Sequence, residues 1–321
     1  MKSNPAITTQ LSYLVSIEKI NSPRMSAILK VYSKVLKTMV DILLDKGFQW
    51  ILPVILAKST DPLWPDPNFS IEDRIELEIY GTRVKTMQSM IVHKRVLVSL
   101  GPPKIFTLSP NIRIENRERV ATGRHLYEFT QLDLEIAYGK MDDVFRLFEE
   151  LVKRSIEVVS KEMEEELKIF SRELRIPSTP FKVFKRRWLI EKYGEDWEEI
   201  ISREFEEPVW VTDIPRQFYD YEDVETGEWR NYDLILPEGY GEVLSGAERE
   251  YEYEKILKKI ERDGLRREDY KLLLELAEKR LLKPSAGAGL GVERFIQYIC
   301  GVKHIGEVQP FPRIPGIVPD L

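Results

Sequence analysis

One cysteine, Cys300, is all that the 321 residues contain, so no internal disulfide can form and no Cys-based zinc pattern exists. Cys300 sits in the apolar stretch FIQYICGV, where a packing role is expected rather than a nucleophilic one. Histidine is nearly as scarce. His93, His125 and His304 match no metal-ligand spacing, and no H-E-x-x-H occurs. No apolar run approaches the ~20 residues of a membrane span. The N-terminal MKSNPAITTQLSY has neither an apolar core nor a small-residue cleavage site. These absences predict a reducing, cytoplasmic setting without membrane association. A G-x-S-x-G elbow and a P-loop lysine motif are also missing, which removes support for the corresponding hydrolases and nucleotidases. Repeats and low-complexity segments are absent as well.

Charge is plentiful but nearly balanced. Charged residues make up 32% of the chain and the net charge is −6. That balance gives no electrostatic reason to expect nucleic acid as a partner. With 43% hydrophobic residues, the length suffices for one large domain or two modest ones.

Ser22 followed by Pro23 is a helix start, and Ile28, Val31, Val35, Met39 and Leu43 recur at helical spacing up to the stop at Gly47. GFQWILPVIL reads as extended, and Asp61–Pro67 as a proline-rich loop. A helix is expected over 89–100. Strands at 105–115 and 126–138 form a long antiparallel hairpin. Asp142 or Asp143 would cap a helix running to about Arg175. Residues 178–207 are mixed and charged, a possible small insertion. Further strands are expected at 208–214, 231–236 and 240–245, with helices at 248–261 and 267–280. A glycine-rich turn, Gly287–Gly291, then opens a last helix near Val292. Strands and helices do not alternate regularly, which argues for an α+β fold around a mostly antiparallel sheet.

Three places could carry chemistry. Phe129, Gln131, Asp133 and Glu135 share one strand face while Leu132, Leu134 and Ile136 share the other. Arg113 and Glu115 share a face on the partner strand. A solvated polar face is the ordinary reading of such a strand, and a site on a rigid sheet is the functional one. Glu242 and Ser245, with Arg249 beyond them, offer oxygen ligands for Mg²⁺ or a solvated strand end. In GAGLGVER the glycines permit close approach of a ligand to the backbone, but the spacing is not that of a dinucleotide fold.

Taken together and in order, these segments resemble the three signature regions of class II aminoacyl-tRNA synthetases, closest to the aspartyl/asparaginyl branch. Residues 23–53 resemble the first region, which in that family forms the dimer interface. SPNIRIENRERVATGRHLYEFTQLDLEIA resembles the second, and GAGLGVERFIQYICGVKHIGEVQPFPRIPG the third. The resemblance implies an antiparallel sheet of six to seven strands flanked by helices, a homodimer, and a single catalytic domain over 23–321 behind an extension at 1–22. It implies that ATP is held by Arg113, Glu115, Arg124, His125, Phe129, Glu242 and Arg294, with Mg²⁺ on Glu242 and Ser245. QSMIVHK resembles the branch's QSPQLxK, although Met90 and Ile91 depart from it. By this resemblance Ser89, Lys94, Gln131, Asp133 and Arg249 would hold the amino acid. Lys94 and Arg249 as two cations favour a carboxylate, hence aspartate. Arg113, Arg249 and Lys94 would be the catalytic set.

Synthetases of this branch carry an N-terminal anticodon-binding barrel, and residues 1–22 are too short for one. Among relatives of the branch, the archaeal asparagine synthetases lack that barrel, and the whole chain resembles them. The reading that follows is ammonia-dependent asparagine synthesis from aspartate and ATP through an aspartyl-adenylate, releasing AMP and pyrophosphate. Ammonia is then a substrate and tRNA is not expected to bind. The alternatives are an aspartyl-tRNA synthetase-like enzyme that charges tRNA, or a non-catalytic paralogue that binds ATP and amino acid.

Overall fold

The computed structural model describes residues 11–63 and 71–320. Residues 1–10 of the N-terminal extension, and Trp64–Pro67 of the loop read at 61–67, lie outside them.

Helix α1 spans Pro23–Asp45. Ser22 Oγ accepts the amide of Met25 at 3.1 Å, and Pro23 needs no amide partner at the first helical position. The helix ends before Gly47, which turns the chain with a left-handed φ of +80°. Its stripe of Ile28, Val31, Val35, Met39 and Leu43 is buried. Strand β1 (Gln49–Trp50) and helix α2 (Ile91–Leu100) follow. Next come β2 (Lys104–Ile112), β3 (Glu128–Ala137) and the long helix α3 (Met141–Glu162). Helix α3 is capped at Lys140 rather than at an aspartate, and Asp143 reaches back to accept the Lys140 amide at 3.0 Å. It breaks at Met163, so the expected run to Arg175 becomes two helices, the second at Glu164–Ile169.

Residues 178–207 form β4 (Lys182–Lys185), α4 (Arg186–Tyr193) and α5 (Trp197–Glu204). Leu189, Trp197 and Ile201 pack this segment onto Val209, Val211 and Ile235. The later elements that build the main sheet and its flanks are β5 (Val209–Thr212), β6 (Asn231–Leu236), β7 (Gly241–Glu248), α6 (Tyr253–Arg262), α7 (Lys271–Glu278), β8 (Ser285–Gly291) and α8 (Val292–Cys300).

The main sheet has eight strands in the order β1-β2-β3-β8-β7-β6-β5-β4. It is mixed: the end pairs β1–β2 and β4–β5 are parallel, and the six central strands run antiparallel. The α+β expectation holds, with a slightly larger count because both short edge strands pair. One face, with Leu132, Leu134, Leu234, Leu244, Ala288 and Leu290, is buried beneath α1, α3 and α8. The other face is the polar one.

The segment Gly287–Gly291, expected as a turn, is instead the central strand β8. A Cβ at Gly287 would overlap the Glu135 carboxylate and the Leu134 carbonyl, and one at Gly289 would lie 2.9 Å from Gln131 Nε2. Glycine here answers close packing between strands, not a turn. Trp50, on edge strand β1, and Leu52 just beyond it are exposed on the segment expected to meet a second copy.

Candidate active site

Strand pairing sets the site. Thr107 of β2 stands opposite Asp133 of β3, Asp133 opposite Gly289 of β8, Gly289 opposite Ser245 of β7, and Ser245 opposite Asp233 of β6. Residues opposite one another share a face, so this row crosses the middle of the polar face. Glu135 and Gly287 stand side by side two residues along, and Gln131 and Gly291 two residues the other way. The glycines leave a bare floor between side chains on either side.

Two adjoining cavities occupy that floor. The first, of about 320 Å³, is lined by Arg113, Glu115, Arg124, His125, Phe129, Glu242 and Arg294. All seven residues expected to hold ATP thus face one space, together with Arg119. The Arg113 guanidinium lies over the Phe129 ring, 5.2 Å from its centre, and donates twice to the Gln88 carbonyl at 3.0 and 3.1 Å. Arg294 donates to the carbonyls of Arg124 (3.2 Å) and Glu242 (2.9 Å). His125 Nε2 lies 2.9 Å from Arg119 Nη1, and its Nδ1 lies 2.7 Å from Thr122 Oγ1. Arginine can only donate, so Nε2 accepts and Nδ1 carries the proton. Burial, reinforced by Arg294 and the other surrounding guanidiniums, lowers the His125 pKa to about 2, and the ring is neutral. Burial raises the Glu115 carboxyl despite the pull of Arg113.

The second cavity, of about 220 Å³, is lined by Ser89, Lys94, Gln131, Asp133, Arg249, Glu242 and Ser245. These are the residues expected to hold the amino acid and the metal. Arg113, Gln131, Glu242 and Gly289 line both spaces, so the cavities meet over the glycine floor. Lys94 is fully buried. It donates to the Asp133 carboxylate and, at 3.1 Å, to the Leu134 carbonyl. Glu135 lies 3.5 Å from its ammonium. Arg249 donates to Glu135 (3.1 Å), Asp220 (2.9 Å) and the Gly287 carbonyl (3.0 Å). Burial opposes the Arg249 charge, but Glu135 and Asp220 outweigh it and raise its pKa. Glu135 is lowered in turn, against burial, by Arg249 and Lys94.

Several buried polar atoms on this face lack a hydrogen-bond partner: Thr107 Oγ1, Ser109 Oγ, Asn111 Oδ1, Asp133 Oδ2 and Asp233 Oδ1. Such atoms are costly to leave unpaired. Their concentration along β2, β3 and β6 marks a surface shaped for a polar ligand.

Asp61, Arg216, Gln217, Tyr219 and Asp220 also line the second cavity, and sequence reading missed them. Arg216 through Asp220 come from an irregular stretch with no periodicity to flag it. Arg216 bonds both Asp233 and Ser245. Burial, with Glu242 nearby, raises the Asp233 carboxyl to about 7. Asp233 stood inside an expected strand and carried no signal without its neighbour Ser245. Among the described residues no three His, Cys, Asp or Glu side chains converge as a metal-ligand set. Glu242, Ser245 and the unpaired oxygen of Asp233 do supply the oxygen donors that a magnesium ion takes alongside substrate phosphates. Cys300 is buried and its thiol is pushed up to about 12, chiefly by burial, in keeping with packing. No helix among the described residues is long and apolar enough to cross a membrane.

A sequence profile of the tRNA synthetases class II (D, K and N) matches residues 9–315. The asparagine–tRNA ligase of Thermococcus kodakarensis is 29% identical, over 92% of this chain and 71% of its own length. That of Pyrococcus furiosus is 28% identical over 92% and 70%. The crystal structure of asparaginyl-tRNA synthetase from Pyrococcus horikoshii complexed with asparaginyl-adenylate superposes with a TM-score of 0.84 at 26% identity, covering 99% of this chain and 74% of that one. The Entamoeba histolytica enzyme shares the fold, with a TM-score of 0.82 at 22% identity over 99% of this chain and 73% of that one.

These relatives correct the expected activity. They are tRNA ligases along almost the whole of this chain, which overturns ammonia-dependent asparagine synthesis, a role in asparagine biosynthesis and ammonia as a partner. The expectation that tRNA does not bind falls with them. That expectation rested on the short segment before α1 and on net charge, and neither reports on the side chains that line the two cavities.

Proposed function

This chain belongs to the tRNA synthetases class II (D, K and N), and from that premise we propose that it is an ATP-dependent ligase that activates aspartate as an adenylate and transfers the acyl group to a tRNA. The observation that carries this reading is the meeting of an arginine-rich cavity and a smaller charged cavity over one glycine floor.

In this reading the adenine stacks on Phe129 and is covered by Arg294, while Arg113 spans the junction of the two cavities at the α-phosphate. A carboxylate oxygen of the amino acid attacks the α-phosphorus, and the bond to the bridging oxygen breaks. Pyrophosphate leaves toward Arg124 and His125. Arg113 stabilises the charge that builds on the non-bridging oxygens, a fixed cation in a water-poor site. Neutral His125 orders the Arg119 guanidinium beside that space without adding charge of its own. Glu242, Ser245 and Asp233 are the residues that would hold Mg²⁺, whose chemistry is to neutralise the phosphates. The tRNA terminal hydroxyl then attacks the acyl carbon, and AMP departs.

Lys94 and Arg249 support a carboxylate-bearing side chain. A second reading, asparagine, is favoured by the pairing of Lys94 with Asp133 and of Arg249 with Glu135 and Asp220, which neutralises both cations and suits an amide. Pyrophosphate exchange into ATP, run with each amino acid separately, decides between them. Labelled amino acid should then appear in acid-precipitable tRNA. Absence of exchange with either amino acid would overturn the activation step, and exchange without labelled tRNA would overturn the acceptor.

A further inference from the structure

Sequence reading gave residues 178–207 no role, yet one of their side chains bonds Arg124 and Glu242, both of which line the first cavity. Glu198 stands in the first turn of α5. Its Oε1 lies 2.8 Å from Arg124 Nη2 and accepts the Glu242 amide at 3.0 Å. Gly241, the first residue of β7, has a φ of +68°, and a Cβ there would lie 2.6 Å from both Arg124 Nη2 and Glu198 Oε1. Arg294 closes the arrangement from the other side by donating to the carbonyls of Arg124 and Glu242. Three chain segments distant in sequence therefore meet at one carboxylate oxygen. The helix that presents it is itself fixed, because Trp197 and Ile201 are buried against β5 and β6.

We infer that Glu198 is a positioning residue for the triphosphate: it aims the Arg124 guanidinium at the outer phosphates and holds the backbone at Glu242, so that the segment 178–207 braces two residues that line the nucleotide site without lining it itself. Arg124 Nε is buried without a hydrogen-bond partner, which leaves a donor for the ligand while Nη2 is anchored. Burial works against the Glu198 charge, and Arg124 together with the Glu242 amide outweighs it, so the carboxyl stays below its ordinary value and remains a charged anchor. A planar guanidinium with one nitrogen held loses little freedom when its remaining N–H groups meet a phosphate.

The inference rests on the ATP-binding reading of the first cavity, and the test separates the two. ATP and AMP are titrated calorimetrically into the wild-type chain, Glu198→Ala and Glu198→Gln, with thermal melting as a check on folding. Glu198→Ala should weaken ATP roughly tenfold, the worth of one charge-assisted hydrogen bond, and leave AMP within about twofold because AMP lacks the outer phosphates. Glu198→Gln, which keeps an acceptor for the Glu242 amide, should recover most of the loss. Should the alanine variant fail to fold, Glu198→Asp carries the same comparison. Equal losses for ATP and AMP, or wild-type ATP affinity in the alanine variant, would overturn the positioning role alone. A wild-type chain that binds neither nucleotide would overturn the site itself.

Discussion

Asp220 and Arg249 are joined by a hydrogen bond of 2.9 Å between two buried side chains, one from an irregular stretch and one from the end of β7. With Glu135 on its other edge, the guanidinium is fixed in one plane over the second cavity. Replacing Asp220 by Asn keeps the shape and removes a charge. The amino-acid KM in pyrophosphate exchange should rise about tenfold, with the KM for ATP unchanged. A parallel rise in both would mean that Arg249 serves the fold and not the amino acid.

Lys94 lies between Asp133 and Glu135. Its replacement by Gln leaves those carboxylates without their buried cation. Exchange with aspartate should fall by roughly a factor of ten or more, and exchange with asparagine should fall less. Equal losses for both amino acids would count against Lys94 as a reader of the side-chain charge.

His125 provides a pH test. Its folded pKa is near 2, through burial and then Arg294, while an unfolded histidine titrates near 6.5. Between these values the unfolded chain binds a proton that the folded one does not. Stability therefore falls as pH drops below about 6.5, by about 1.4 kcal/mol per unit from this residue. Urea midpoints at pH 7 and pH 5 should draw together in His125→Gln relative to wild type. An unchanged difference between the two pH values would show that His125 is not held neutral.

Gly287→Ala forces a methyl group against the Glu135 carboxylate and the Leu134 carbonyl. Overpacking of this kind costs about 1–3 kcal/mol, here within the sheet and next to the Glu135–Arg249 pair. The urea midpoint should drop accordingly, with loss of amino-acid-dependent exchange. A wild-type midpoint would show that the two strands can separate without penalty.

Much of the fold was legible because periodicity reports burial. The stripe of α1 and the alternation in β3 each follow from one face meeting the core. The glycines of β8 misled for a physical reason. Glycine signals either a turn or a close approach, and only the neighbours Glu135, Leu134 and Gln131 show which one applies. The helix end at Met163 and the pairing of the short edge strands likewise depend on contacts that a local pattern does not contain.

The candidate site divides in the same way. The resemblance to class II synthetases singled out most of the residues that line both cavities, from Ser89 to Arg294, because its signature regions are continuous stretches of sequence. What Arg216, Asp220, Asp233 and Glu198 contribute was decided by tertiary structure alone. Each gains its meaning from a partner elsewhere in the chain, Ser245, Arg216, Arg249 or Arg124, and hydrogen-bond partners 17 to 74 residues apart leave no trace in any local pattern. The sequence by itself determined which chemical groups are available on the sheet. The folded chain determined which of them share a cavity, which are neutralised by a buried neighbour, and which are left unpaired to meet a ligand.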